Sequence, residues 1–292
     1  MRDNHRAVLQ LHTAVLLFGF TGLFGKLISE SPVVIVFGRT IIAASVLIFI
    51  IKARGNALKP VSVRDWVGFG GMGVLLALHW LSFFQSIRVS TVAIGMLTYA
   101  GFPVFVTLLE PLLFRTRLAV KDLVYLFFVV AGLLVIVPEF SLANRMTAGV
   151  FWGVLSGLSF AVLTLLNKIY SRRYSPLNIA FWQDGIAALL LLPVVLIVPR
   201  SLSVTDVGYV LLLGIFCTAL AHTLFIHSMR HVRAFTAGIA AGMEPVYGVI
   251  LAMLILGEIP ALRTVIGGLI ILIVVAFISS VPFRTGRPEQ EI

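Results

Sequence analysis

The chain has 292 residues, of which 60% are hydrophobic and only 12% are charged, and it carries a formal net charge of +10 at pH 7. A soluble domain has about 25% charged residues, so the composition excludes a soluble globular protein and indicates a membrane protein. The single cysteine, Cys217, excludes a disulfide bond within the chain.

Apolar runs of about 17–25 residues, the length that crosses a bilayer as a helix, recur ten times along the chain. The first run follows the basic residues Arg2 and Arg6, but it is too long for the apolar region of a signal peptide, so we expect it to be retained. The connections are short and leave no room for a soluble catalytic domain. The sequence therefore predicts an all-α membrane protein with ten transmembrane helices, or spans, at residues 8–28, 32–51, 66–87, 91–114, 122–138, 147–168, 176–198, 206–229, 234–256 and 262–282.

The distribution of Lys and Arg predicts the orientation of the spans. With a cytoplasmic N-terminus, the inside segments carry 16 of these residues and the outside segments carry four, namely Arg88, Arg145, Arg200 and Arg263. This excess follows the positive-inside rule, and it explains the positive charge without a nucleic-acid partner. We therefore expect a multi-pass protein of the bacterial inner membrane with both termini in the cytoplasm, including a cytoplasmic tail at residues 285–292.

The chain contains an internal repeat. Ser31–Ala44 (SPVVIVFGRTIIAA) and Ser175–Ala188 (SPLNIAFWQDGIAA) match at seven of fourteen positions with an offset of 144, and Pro103 matches Pro245 with an offset of 142. Because each copy holds an odd number of spans, the second copy should cross the membrane in the opposite sense. Two inverted five-helix repeats are typical of transporters, whereas the alternative is an ancestral duplication with no mechanistic role. The first repeat covers residues 1–140 and the second covers residues 141–284.

The segment MEPVYGVILAMLILGEIP carries a family resemblance. It resembles the EamA-type repeat of the drug/metabolite transporter superfamily. The resemblance rests on the motifs Glu244–Pro245–Val246 and Leu256–Gly257–Glu258 and on the following helix with Gly267–Gly268. The resemblance covers nearly the whole chain and implies cytoplasmic termini, a central cavity between the halves and a small organic substrate. The first half departs from the pattern, because Phe102 stands where the second half has Glu244.

Aromatic residues near the middle of the spans form the candidate substrate site. Within the superfamily, the chain is most similar to bacterial amino-acid exporters of the YddG type, and this resemblance rests in part on His79, Trp80 and Tyr99. Aromatic rings with one polar edge suit an amphipathic ligand that has an apolar side chain and a charged head. Ordinary helix packing is the alternative for each single ring. The candidate substrate-binding residues are His79, Trp80, Phe83, Tyr99, Trp182, Glu244 and Tyr247.

Arg39 in span 2, Asp184 in span 7 and Glu244 in span 9 are ionisable residues inside predicted spans, where an unpaired charge is costly. We expect structural charge pairs, with Arg39 bound to Asp184 or Glu244, although Glu244 could instead bind a substrate ammonium group or carry a proton. Pro103 and Pro245 are expected to kink spans 4 and 9, because proline cannot donate to the helix ladder.

The sequence offers little support for a metal centre or an enzyme. His227 and His231 are four residues apart, but no H-E-x-x-H motif is present, so we expect no metal and no cofactor. The chain has no G-x-S-G motif, so we do not expect an enzyme. We expect a monomeric secondary transporter in the lipid bilayer that exports small amphipathic metabolites, with aromatic or other apolar amino acids as first candidates. The alternatives are a multidrug or cation exporter of the same fold and, less favoured, an intramembrane enzyme or a channel.

Overall fold

The computed structural model describes residues 2–55, 58, 62–114, 120–139, 141–171, 173–228 and 242–279. Regular structure within these ranges is helical throughout. The helices are α1 (Arg2–Leu27), α2 (Pro32–Ala53), α3 (Val63–Val89), α4 (Val92–Tyr99), α5 (Phe102–Phe114), α6 (Val120–Ile136), α7 (Arg145–Tyr170), α8 (Pro176–Ile197), α9 (Val204–Gly214), α10 (Ala221–Ser228), α11 (Glu244–Leu251) and α12 (Leu262–Ser279). One π-helical segment, Ile215–Leu220, joins α9 to α10, and another, Ala252–Leu256, follows α11.

Six helical stretches within the described ranges are long and apolar enough to cross a membrane. Large apolar side chains such as those of Phe49, Ile197 and Leu254 point away from the bundle, which suits a surrounding of lipid. The chain therefore has the fold of a helical membrane protein, while the full count of ten transmembrane helices stays a prediction. The six stretches are Pro32–Ala53, Val63–Val89, Val92–Pro111, Arg145–Tyr170, Pro176–Ile197 and Val204–Leu224, and shorter apolar helices cover Glu244–Leu256 and Leu262–Phe277.

Serine residues set where equivalent helices of the two halves begin. Ser31–Pro32 starts α2 and Ser175–Pro176 starts α8, with the serine in extended backbone and the proline at the first helical position, which proline favours. Ser62 and Ser203 cap α3 and α9, because each hydroxyl accepts a hydrogen bond from the backbone N–H three residues later, at 3.2 and 3.0 Å. The same local signals thus begin spans 2 and 7, and spans 3 and 8.

Spans 4 and 9 contain a helix start near their middle. Span 4 consists of α4 and α5, which are separated by Ala100–Gly101, and Pro103 is the second residue of α5. In span 9, α11 begins at Glu244 with Pro245 in second position. In the first turn of a helix the missing N–H of proline costs no hydrogen bond, so both prolines lie where a helix starts.

The main helix contacts stay the same when the two halves are exchanged. α3 packs against α7 and α8, and the α9–α10 span packs in the same way against α1 and α2. The α4–α5 span contacts α7 as α11 contacts α1, and the equivalent helices α2 and α8, α6 and α12, and α4 and α11 contact each other. The largest apolar cluster includes Phe69, Trp80, Phe84 and Met96. The centre of the bundle is therefore shared by both halves.

Glycines bring α6 and α12 into backbone contact. A Cβ atom added at Gly132 would lie 2.9 Å from the carbonyl oxygen of Gly267, and one added at Gly267 would overlap the carbonyl oxygen of Gly132. Further along, the two helices separate and leave an apolar groove of about 460 Å³. The groove is lined by Val124, Tyr125, Phe128, Ile270, Ile273, Val274 and Phe277. The two helices therefore cross at their glycines.

Candidate functional site

Five buried or partly buried rings from α3, α7 and the α4–α5 junction form a group that we call the His79 aromatic cluster. It consists of His79, Phe83, Tyr99, Phe102 and Phe160. The His79 ring lies 4.7 Å from the Phe160 ring and 5.2 Å from the Tyr99 ring, between centroids. Tyr99 ends α4 and Phe102 begins α5, and their rings stack at 5.5 Å. The break in span 4 therefore places two of the five rings, and the exposed fractions of His79 and Tyr99 are only 4% and 6%.

The imidazole of His79 is held by α7. Its Nδ1 lies 2.8 Å from the hydroxyl of Ser156 and 3.1 Å from the carbonyl oxygen of the same residue. Glycines on α7 permit this approach, because a Cβ at Gly157 would lie 3.2 Å from the carbonyl oxygen of Tyr99. A Cβ at Gly153 would overlap the side chain of Thr98. The ring is thus fixed between the first-half helices α3 and α4 and the second-half helix α7.

Arg39, on α2, lies in the centre of the bundle with an exposed fraction of 1%. Its guanidinium carbon is 3.6 Å from the centroid of the Trp80 ring, a close cation–π contact. Its Nε donates to the hydroxyl of Thr218 at 3.1 Å, and that hydroxyl donates to the carbonyl oxygen of Leu213 at 2.8 Å. Thr218 lies in the π-helical segment Ile215–Leu220, a kind of irregularity that is frequent at functional sites. Trp80 also lies 6.2 Å from His79 between ring centroids, so it links Arg39 to the His79 aromatic cluster.

Two acids lie within electrostatic reach of Arg39 without bonding to it. Asp184 is 1% exposed, and Glu244 is partly buried at the start of α11. No oxygen of these two described side chains lies within 4.0 Å of the guanidinium, and the structural pairing of Arg39 with either acid stays a prediction. Nη1 of Arg39 and Oδ1 of Asp184 are buried and have no hydrogen-bond partner among the described residues.

Two of the predicted site residues lie elsewhere. The Trp182 ring packs against Trp66 at 4.8 Å and against Phe69 at 6.3 Å. Tyr247 packs against Leu11 and Val15 of α1. The structure therefore brings His79, Trp80, Phe83 and Tyr99 together but places Trp182 and Tyr247 in other contacts.

No group of three or more His, Cys, Asp or Glu residues that could hold a metal ion occurs within the described part of the chain. The side chains of His227 and His231, and the tail 285–292, lie outside the described residues.

An aspartate at each end of the bundle joins the two halves. In the Asp65 bridge, the carboxylate at the start of α3 accepts hydrogen bonds from Arg173 at 3.1 Å and from the Tyr174 hydroxyl at 2.6 Å. The hydrogen bond to this carboxylate raises the pKa of Tyr174. In the Asp206 bridge, the carboxylate at the start of α9 accepts from the backbone N–H and the hydroxyl of Ser29, at 2.9 and 2.8 Å. Arg173 and Ser29 stand two residues before the Ser–Pro turns of their halves, so the bridges join equivalent positions.

Further contacts tie the loops together near the Asp206 bridge. Arg88 donates to the carbonyl oxygens of Ser29 and Glu30, and the Glu30 carboxylate accepts from the backbone N–H of Ser201 at 2.6 Å. A carboxylate oxygen of Glu258 accepts from the backbone N–H of Val92, at the start of α4, at 2.8 Å. This end of the bundle is therefore held by contacts that involve loops of both halves.

A model of the EamA-like transporter family matches the chain twice, over residues 5–137 and 147–280. The chain is 27% identical over 271 residues to the uncharacterized transporter YxxF of Bacillus subtilis (strain 168). The aligned region covers 91% of this chain and 87% of that protein. It is 28% identical over 250 residues to an uncharacterized transporter of Archaeoglobus fulgidus, with 80% of this chain and 90% of that protein covered.

A solved crystal structure of a protein has the same fold. It superposes with a TM-score of 0.65 over 92% of this chain and 95% of its own, at 21% sequence identity. At this identity the likeness concerns the fold alone.

Proposed function

Because the chain belongs to the EamA-like transporter family, we propose that it is a monomeric secondary transporter of the bacterial inner membrane that exports small amphipathic metabolites by alternating access. Apolar or aromatic amino acids are the first candidate substrates. The observation that carries the proposal is the His79 aromatic cluster, which lies buried beside a charged side chain, Arg39. Such a surrounding offers rings to an apolar side chain and charge to a polar head.

Alternating access requires two halves that can exchange roles. The contacts of α3 with α7 and α8 recur for the α9–α10 span with α1 and α2, which supports a twofold relation between the halves. We place the relation as an inverted repeat of residues 1–140 and 141–284, because α9 belongs to the fifth predicted span after that of α3, so the two helices cross the membrane in opposite senses. Asp65 and Asp206, at the starts of these two helices, then lie at opposite faces of the membrane.

The two bridges fit the role of gates. The Asp65 bridge, on the side where we place both termini, joins α3 to the loop before α8. The Asp206 bridge joins α9 to the loop before α2. With both bridges formed, His79 and Tyr99 are buried, as expected for an intermediate between outward and inward states. A transport cycle would release one bridge at a time.

The alternatives have less support. A receptor for cationic drugs would have acids without a nearby basic group, whereas Asp184 and Glu244 both lie within electrostatic reach of Arg39. A channel would need a continuous path, and the described bundle is bridged between its halves at both ends. The family indicates a transporter, which is not an enzyme class.

A transport assay with purified protein in liposomes tests the proposal. Radiolabelled L-phenylalanine, L-leucine and L-aspartate, together with the cation tetraphenylphosphonium, are offered with and without an imposed pH gradient. We expect saturable transport of the two apolar amino acids. Phe160→Ala, in the cluster, should lower it at least about tenfold, since a large ring leaves a cavity. Phe128→Ala, on the groove between α6 and α12, is the matched control and should leave it unchanged.

Three outcomes would contradict the proposal. Transport of tetraphenylphosphonium without any amino acid would favour a cation exporter. Steady ion currents across a planar bilayer would favour a channel. Equal loss of transport in Phe160→Ala and Phe128→Ala would remove the His79 aromatic cluster from the substrate path.

A further inference from the structure

Arg39 is a buried cation that uses only part of its hydrogen-bonding capacity. Its Nε binds the hydroxyl of Thr218, but Nη1 is buried and has no partner among the described residues. A donor on a charged group that is removed from water and left unpaired is strongly unfavourable. Nη1 is therefore open to a partner that the described residues do not supply.

The guanidinium group is held in one orientation. The centroid of the Trp80 ring lies 3.6 Å from its central carbon, and Nε is bound to Thr218, so two contacts position the group. The Thr218 hydroxyl donates to the carbonyl oxygen of Leu213, five residues earlier, so its lone pair is available to accept from Nε. A fixed planar guanidinium with an open N–H is the geometry that proteins use to bind carboxylates.

Asp184 has the complementary defect. Its side chain is 1% exposed, and Oδ1 is buried without a hydrogen-bond donor in the described structure. It lies within electrostatic reach of Arg39, yet the two side chains form no ion pair. The pair thus leaves one open donor on a cation and one open acceptor on an acid within the same part of the bundle.

We propose that Arg39 and Asp184 form the head-group receptor for a zwitterion, in which Arg39 binds the carboxylate of an α-amino acid and Asp184 binds its ammonium group. The inference rests on the proposed function and adds its polar specificity. Trp80 contacts Arg39 and lies next to His79, so the side chain of the ligand extends into the His79 aromatic cluster. The ligand thus bridges two side chains that form no direct ion pair with each other.

Ligands that differ by one charged group test the receptor on the unaltered protein. Binding to the full chain in detergent is measured by equilibrium dialysis for L-phenylalanine, L-phenylalaninamide, 3-phenylpropionate and phenethylamine. We expect L-phenylalanine to bind at least about tenfold more tightly than each of the other three, because each lacks one charge-assisted hydrogen bond.

Substitutions then assign the two charges. Arg39→Gln should weaken L-phenylalanine and 3-phenylpropionate at least about tenfold and leave phenethylamine unchanged, while Arg39→Lys should restore part of the loss. Asp184→Asn should weaken L-phenylalanine and phenethylamine and leave 3-phenylpropionate unchanged. A purely structural role of either residue would lower all three ligands together, so the selective pattern separates the two explanations.

The outcomes that overturn the receptor are distinct from those that overturn the transport function. If the protein transports amino acids but binds L-phenylalaninamide as tightly as L-phenylalanine, the receptor is wrong and the function stands. The comparison needs no variant, so it decides the matter even if Arg39→Gln fails to fold. If the unaltered protein neither transports the panel of amino acids nor binds any of the four ligands, both proposals are wrong.

Discussion

The glycine contact between α6 and α12 gives a stability prediction that can be worked from distances. In Gly132→Ala the new methyl group would stand 2.9 Å from the carbonyl oxygen of Gly267, whereas a carbon and a carbonyl oxygen in contact usually stand about 3.3–3.6 Å apart. The neighbour is backbone and cannot rotate away, so the helices must separate by roughly half an ångström. Forced expansion of a packed interface costs about 1–3 kcal/mol.

A matched control removes the effect of helix propensity. A methyl group at Gly185, in the middle of α8, meets nothing within 4 Å. Alanine favours a helix over glycine by about 1 kcal/mol in both variants, so the difference between them isolates the contact. We expect the apparent Tm of Gly132→Ala in detergent to lie roughly 2–10 °C below that of Gly185→Ala. Gly267→Ala, whose methyl group comes closer to backbone, should be less stable still. Equal melting temperatures for Gly132→Ala and Gly185→Ala would refute the close backbone contact.

Three further predictions concern the site, a bridge and the orientation. Ser156→Ala should lower the unfolding free energy by about 1–3 kcal/mol, because it leaves the buried imidazole without its hydroxyl partner. Ser159→Ala should cost less in the same melting experiment, because among the described residues its hydroxyl binds carbonyl groups of its own helix. The reverse order would contradict the assignment. Arg173→Gln should raise the cytoplasmic labelling rate of Tyr99→Cys about two- to fivefold, because an ion pair whose arginine is 65% exposed is worth about 1 kcal/mol or less. Both proteins carry alanine in place of the native cysteine, Cys217. Unchanged labelling would deprive the Asp65 bridge of a gating role. A fluorescent protein fused to the C-terminus should be bright and a periplasmic phosphatase fused there should be inactive, since the basic residues favour a cytoplasmic C-terminus. An active phosphatase would show that the orientation is the reverse of the predicted one.

The sequence predicts helix positions well where a local signal marks the boundary. The sequence predicts span 2 at 32–51 and span 7 at 176–198, and the helices are Pro32–Ala53 and Pro176–Ile197. Both begin at a Ser–Pro pair, and proline is favoured in the first turn because its missing N–H has no helical partner there. Hydropathy alone is less exact, because α1 begins at Arg2, well before the apolar run that starts near residue 8.

The sequence predicts partners across the bundle poorly. His79 and Tyr99 both lie near the middle of predicted spans, and the structure places their rings in contact. Depth does not define which face of a helix a side chain occupies, so Trp182 was grouped with them but packs against Trp66. No feature of a single sequence indicates that Ser156 binds His79. The Ser-x-x-Asp patterns Ser62–Asp65 and Ser203–Asp206 indicate helix caps. They do not indicate that Arg173 and Ser29 also bind these aspartates.

In the proposed transport cycle, Asp65 and Asp206 each keep a second function when their bridges open. Ser62 donates to one carboxylate at 2.6 Å and Ser203 donates to the other at 2.7 Å, within the same helix turn. After the opposite loop departs, each anion therefore retains its serine and the positive end of its own helix dipole, and no charge is stranded without a partner. The energy difference between joined and separated loops is then small compared with that of an isolated buried ion pair. Thermal motion and modest substrate binding energy are enough to drive such a difference in either direction, as the proposed alternating-access cycle requires.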